Sequence, residues 1–457
     1  MRKTITFLLL FLSLQISAQC WQSIAVGYEH SLAVKNDGTL WAWGNNWVGQ
    51  LGDGTITDKT IPTQIGTANN WLKVSAGFYA SYAIKTDGTL WAWGQNAYGQ
   101  LGLGTSTYAY SVPTQVGTDT NWQSICSKNY FCLAIKTNGT LWAWGQNGFG
   151  QLGDNTTVNK NIPTQIGTDT NWQSVSVWQN HSLAIKSNGT LWAWGQNYSG
   201  QLGDNTTVNK IIPTQIGTAT NWYKTACGYN YSLGIKTDGT LWAWGSNTNG
   251  QFGIASPSSS NVPFQIGTDN DWQDISVGND FTYGIKTNKT LWSTGVNDVG
   301  QLGNGTFSAI NVLVFTQAGT SSDSEKIVAG HNHVLNTNQD GFIRVTGKNN
   351  KGQLGDGTTT QRNSLTTISC YPSTLFTENF TINEIKVHPN PVKDILNISL
   401  DNEITTVSIY NLLGQEIITK SVNKNETSID VTGLSAGTYL VKVTSDNAVK
   451  TLKVLKN

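Results

Sequence analysis

The chain is predicted to be all-β: a seven-bladed β-propeller followed by a small immunoglobulin-like β-sandwich. Three observations lead there. Gly-Gln-Leu-Gly recurs at a near-constant interval, each interval holds four short strand patterns, and the composition changes after residue 384. The tetrapeptide starts at Gly49, Gly99, Gly150, Gly200, Gly250 (with Phe252 for Leu), Gly300 and Gly352, so the intervals are 50, 51, 50, 50, 50 and 52 residues. A fixed period of this size marks a solenoid or a propeller.

The content of one unit separates the two. The first unit opens with Trp21 and an apolar run to Gly27, then Ser31–Lys35, a tight Asp37-Gly38, and Thr39–Trp43. After Gly49-Gln-Leu-Gly52 and a polar loop, Ile61–Ile65 closes it. Four short β-rich runs separated by turn residues form an antiparallel meander, and no helical period interrupts any unit. The Asp-Gly and Asn-Gly dipeptides predict type I′ hairpins, whose central residues need positive φ. Seven such units arranged radially leave only short, protected sheet edges.

On these residues the repeats resemble those of the regulator of chromosome condensation family. They share its Gly-Gln-Leu-Gly, its Asp-Gly turn and its aromatic-rich strand ahead of a Gly, over about residues 21–368. The resemblance implies the propeller fold. It implies no single function, because one fold hosts many. The family namesake's guanine-nucleotide exchange is disfavoured by the export signals described below.

Residues 1–19 read as a signal peptide: Met1-Arg-Lys3, an apolar run Thr4–Leu14 and a small residue at Ala18. The apolar run is too short to span a bilayer, and no later stretch could, so the mature chain is expected to carry no membrane span. Lys+Arg and Asp+Glu both number 28. Without a clustered basic face, nucleic acid is not an expected partner.

Export permits disulfides. Cys20 precedes the first strand of the first unit and Cys370 follows the last strand of the seventh, so a closed ring brings them together as a clasp. Cys126 and Cys132 flank a predicted hairpin turn and form a second candidate pair. Cys227 is left as a buried small hydrophobe.

The propeller is assigned to 20–370 and a linker to 371–384. Residues 385–457 contain no Trp and more Val, Ile and Lys, in short alternating strands. This stretch resembles the type A C-terminal sorting domain of the type IX secretion system. It has Pro389-Asn-Pro391, Tyr410-Asn-Leu-Leu-Gly-Gln415 and Leu434-Ser-Ala-Gly-Thr-Tyr439, with His388 where Tyr is commoner. The resemblance implies a Bacteroidetes-type source, type IX machinery as a partner, and a product secreted or attached to the outer-membrane surface.

No catalytic constellation, metal site or cofactor motif stands out. There is no Gly-x-Ser-x-Gly, no His-Glu-x-x-His and no EF-hand loop. His30, His181 and His333 occupy one repeat position that elsewhere holds Ala80, Phe131, Tyr231 or Phe281, which predicts packing. His331 and His333 could touch a metal only with a third ligand that the sequence does not show. Asp53, Asp154, Asp204 and Asp356 follow Gly-Gln-Leu-Gly and read as turn-makers. The seventh unit, with Ser324 and Arg344 at Trp positions, is expected to pack more loosely.

Aromatic loop residues are what the scaffold does not demand. In a meander the loops from strand one to two and from three to four leave at the same end. Tyr28, Trp47, Phe78, Tyr98, Phe149, Trp178, Tyr198 and Tyr229 all fall there. Trp and Tyr concentrate at binding hot spots. The expectation is a non-catalytic propeller binding an extracellular protein or glycan, with a surface hydrolase as the alternative.

Overall fold

A computed structural model describes residues 20–105, 107–368, 385–411, 415–445 and 448–457. Residues 1–19, read as a signal peptide, the stretch 371–384, read as a linker, and Cys370 therefore lie outside the described residues. The chain divides into two compact units, Met1–Cys370 and Tyr371–Asn457.

In the first unit each repeat is one blade. The first blade comprises Trp21–Val26, His30–Lys35, Leu40–Gly44 and Lys59–Gln64, hydrogen-bonded in that order. Six more four-stranded sheets repeat the pattern, the last ending at Arg362–Ile368. The middle strands are apolar on both faces because both faces meet a neighbouring blade, as in Leu133-Ala-Ile135. No strand is shared between the first and last blades, so the ring closes through side-chain packing and a few hydrogen bonds, among them Gly357 N to Thr60 O at 3.0 Å. Trp21, Ile24, Val26 and Trp43 pack in one cluster with Leu335, Ile343, Val345 and Ile368.

Gly-Gln-Leu-Gly is the clip between blades. Trp93 Nε1 donates to the Gln50 carbonyl of the preceding blade at 3.0 Å. At the closing joint, a Cβ on Gly355 would lie 2.7 Å from Trp43 Nε1, so only glycine admits that indole. The acid that follows is a turn-maker, as expected. Asp53 Oδ1 accepts from Thr55 N and Oγ1 at 2.9 and 2.8 Å, and Oδ2 pairs with Lys59 at 3.3 Å.

Two expectations are corrected. The hairpin turns are not type I′. Gly38 has φ +78° while Asp37 is not positive, and Gly38 N donates to Lys35 O at 2.9 Å. Lys35 N also donates to Thr39 O at 3.0 Å, so the connection is a three-residue loop, a type I turn closed by a glycine bulge. Cys126 and Cys132 are free thiols. Cys126 lies opposite Leu133, and Cys132 lies opposite Ser127, one step out of register. Adjacent strand residues point to opposite faces. Cys132 thus packs toward the second blade and Cys126 toward the fourth.

The seventh blade is rebuilt rather than loosened. In the first blade Trp21 and Trp41 meet edge-on at 6.2 Å, with Lys35 Nζ 3.8 Å from the Trp41 ring centroid. Ser324, Arg344 and Asn338 take those places, and Arg344 grips Asp323 with both guanidinium nitrogens at 2.7 and 2.5 Å.

The second unit is also all-β. Lys386–His388, Ile395–Tyr410, Glu416–Asp430, Gly437–Ser445 and Ala448–Lys456 form one hydrogen-bonded sheet. Along Ile395–Tyr410 the register slips between Ser399 and Thr406, and burial passes from Leu396, Ile398 and Leu400 to Val407 and Ile409. This bulge lets both halves of one strand serve a common core with Ile429, Val441, Val443 and Val454.

Candidate binding face at the mouth of the ring

The loops from first to second strand gather around one end of the central channel, and their backbones are laced together. Tyr28 N donates to Phe78 O at 3.2 Å, Phe78 N to Asn129 O at 3.2 Å, and Asn279 N to His331 O at 3.3 Å. This collar holds the side chains above it on a rigid frame.

The frame is stiffened by a relay that sequence reading missed. His30 Nε2 lies 3.0 Å from Ser81 Oγ of the next blade, and Ser81 Oγ donates to Gln50 O at 2.6 Å. His181–Ser232–Gln201 and His333–Ser31–Gln353 repeat the arrangement. The serine proton is committed to the carbonyl, so the histidine must donate from Nε2. Burial holds the ring neutral, lowering His30 and His181 to about 3. Packing was the correct reading of this position, but only half of its role.

Above the collar the eight predicted aromatics divide into three groups. His331, Tyr28, Phe78, Tyr130 and Tyr98 form a continuous crescent, with successive ring centroids 4.4, 4.0, 5.0 and 5.0 Å apart. Tyr79 joins Trp47 to it at 5.3 Å. Tyr130 and Tyr79 are the links that make it continuous. Phe149 and Tyr198 form a separate edge-on pair at 6.1 Å. Trp178 and Tyr229 instead wall a pocket over the channel.

Exposure differs as well. Trp47 is 50% exposed and Tyr198 64%, while Trp178 is only 6% exposed. Tyr28, Phe78 and Phe149 are half-buried. Trp178 is buried because it packs in a cluster with Cys227 and Trp222.

The pocket holds about 390 Å³ of empty space, counting its open mouth, and is lined from all seven blades. Tyr28, Phe78, Trp178 and Tyr229 supply aromatic walls; Asn129, Gln179 and Asn279 supply amides. At its edge Lys128 reaches across the ring from the third blade. Its Nζ donates to Val26 O at 3.1 Å in the first blade and to Ala329 O at 2.8 Å in the seventh. Desolvation lowers its pKa to about 8. A signal for this residue existed: six residues after each opening position stand Gly27, Gly77, Gly228, Gly278 and Gly330, and only Lys128 and Trp178 break the series.

A family profile described as an RCC1-like domain matches residues 12–233, and regulator of chromosome condensation repeats match 222–251 and 238–285. A secretion system C-terminal sorting domain matches 386–457. Among solved structures the chain is similar to human WBSCR16, with TM-score 0.65 and 18% identity over 72% of this chain and 94% of that one. It is similar to Prp20p of Saccharomyces cerevisiae, with TM-score 0.66 and 19% identity over 78% of this chain and 90% of that one. That structure was described with its binding properties to Gsp1p and histones. At these identities the likeness shows the fold alone.

Proposed function

Since the chain is a regulator of chromosome condensation repeat propeller with a secretion-system C-terminal sorting domain, we propose that it works outside the cytoplasm as a non-catalytic binding protein. The sorting domain marks export to the medium or the cell surface. The partner is an extracellular protein or glycan, docked on the aromatic face at the mouth of the ring.

The observation that carries this reading is the crescent from His331 to Tyr98, set on a hydrogen-bonded collar and ending in exposed Trp47 and Tyr98. Clustered rings open to solvent mark interaction sites on soluble proteins. His30, His181 and His333 are bound into the inter-blade relays.

The test is capture by the full chain from glycan arrays and extracellular proteins, repeated with Trp47→Ala. Loss of about 2 kcal/mol of binding is expected for a hot-spot tryptophan. Unchanged affinity would move the site off this face, and turnover of a captured glycan would replace binding with hydrolysis. Deleting 385–457 should leave the chain in the periplasm, read by fractionation, because those residues carry the export address.

A further inference from the structure

Lys128 presents an unbalanced charge. A buried ammonium is ordinarily paired, because removing it from water is costly. Lys128 has two carbonyl acceptors and the Trp178 ring at 5.7 Å, and no ion pair among the described residues. The mouth's carboxylates are engaged elsewhere. Glu29 pairs with Lys348 at 2.7 Å, and Asp280 accepts from Asn279 Nδ2 at 3.2 Å. An ammonium has three protons, and two are used, so one donor remains for a ligand.

The pocket beside it has the composition of a saccharide site. Asn279 Oδ1 is buried there without a hydrogen-bond partner, and a buried acceptor left unpaired is a place where a donor is missing. A sugar hydroxyl would supply it. Trp178 and Tyr229 line it and would meet the apolar side of a pyranose. Most of the about 390 Å³ is open to solvent, so only the end of a glycan chain would enter.

We propose that this pocket takes the carboxylated terminal sugar of an extracellular glycan, with the sugar carboxylate as the counter-ion of the Lys128 ammonium. This rests on the binding reading above and narrows it to an acidic glycan. A peptide C-terminus offers the same carboxylate but fewer hydroxyl donors for Asn279.

Carboxylate binding requires protonated Lys128, so affinity should fall about tenfold per pH unit above about 8. The histidines around the ammonium do not titrate in that window. His30 is lowered to about 3, His331 to about 4 and His333 well below its ordinary value, all mainly by burial. Burial pushes the Cys126 thiol up. Glu29 and Lys348 face the mouth as an ion pair.

The experiment measures binding of a glucuronic acid-terminated disaccharide, its methyl ester and its glucose counterpart to the full chain, with a tripeptide bearing a free C-terminus as the fourth probe. The acid should bind at least about tenfold tighter than the ester. Lys128→Met, which keeps the side-chain volume, should erase that preference, and Lys128→Arg should keep part of it. Equal binding of acid and ester, no binding of either, or a preference that survives in Lys128→Met overturns the proposal. A Lys128-dependent preference for the tripeptide over the sugar acid also overturns it. In any of these cases a partner lost on Trp47→Ala but not on Lys128→Met would leave the binding face standing. If Lys128→Met unfolds, the pH profile and the acid–ester ratio of the unsubstituted chain decide alone.

Discussion

The two ends of the ring handle exceptions to the repeat differently. At the hairpin-turn end, a substitution comes with its compensation. Where the seventh blade loses its Trp, Trp and Lys, Arg344 gains Asp323 and Ser324 Oγ donates to Asn336 Oδ1 at 3.2 Å. Lys289 replaces the turn glycine at φ +66°, and its Nζ pairs with Glu325 at 3.2 Å. At the mouth, Lys128 replaces a glycine and no carboxylate among the described residues answers it. The substituted charges at the turn end are met by neighbouring side chains, whereas the Lys128 ammonium is left for a ligand.

The largest effect expected at the turn end is that of the clasp. Cys370 lies outside the described residues, and a Cys20–Cys370 bond would close a loop worth on the order of 5 kcal/mol on a chain-entropy view. Thiol titration of the denatured, unreduced protein should find three thiols, Cys126, Cys132 and Cys227. Finding five would leave ring closure to packing and hydrogen bonds, without a covalent clasp.

The relays should make the ring acid-labile. A histidine at about 3 when folded and about 6.5 when unfolded contributes stability that is present above pH 6.5 and lost as pH falls toward 3. Each contributes a slope of about 1.4 kcal/mol per pH unit. His181→Phe, a residue other blades accept at this position, should flatten denaturant-measured stability over that window by one proton's worth. An unchanged slope would mean that His181 is not buried neutral.

Arg344→Ala strands Asp323 and should cost about 1–2 kcal/mol, while pairing it with Asp323→Ala should recover part of that loss. Strict additivity of the two would break the claim of compensation. Trp47→Ala is the smallest, expected within about 0.5 kcal/mol of the unsubstituted stability because the side chain is half in solvent. A larger loss would make Trp47 scaffold.

The period, the blade content, the sorting domain and the end of the ring on which the aromatics lie could all be read from the chain, because they follow from local spacing. Strand alternation sets the face of each residue, and antiparallel order sets the end of each loop. Even the misread hairpins were misread by one residue, since Asp-Gly serves both the two-residue turn and the three-residue loop. What the chain could not disclose were contacts made by closing the ring. Lys128 meets Val26 and Ala329, which lie 102 and 201 residues away, and Tyr130 of the third blade bridges Phe78 and Tyr98 of the second. The one-residue offset between Cys126 and Cys132 follows from a register common to every blade, in which Ser127 faces Cys132 as Val26 faces Ser31. Spacing repeats along a chain, but the channel exists only where seven blades converge. Its charge balance therefore belongs to the tertiary structure.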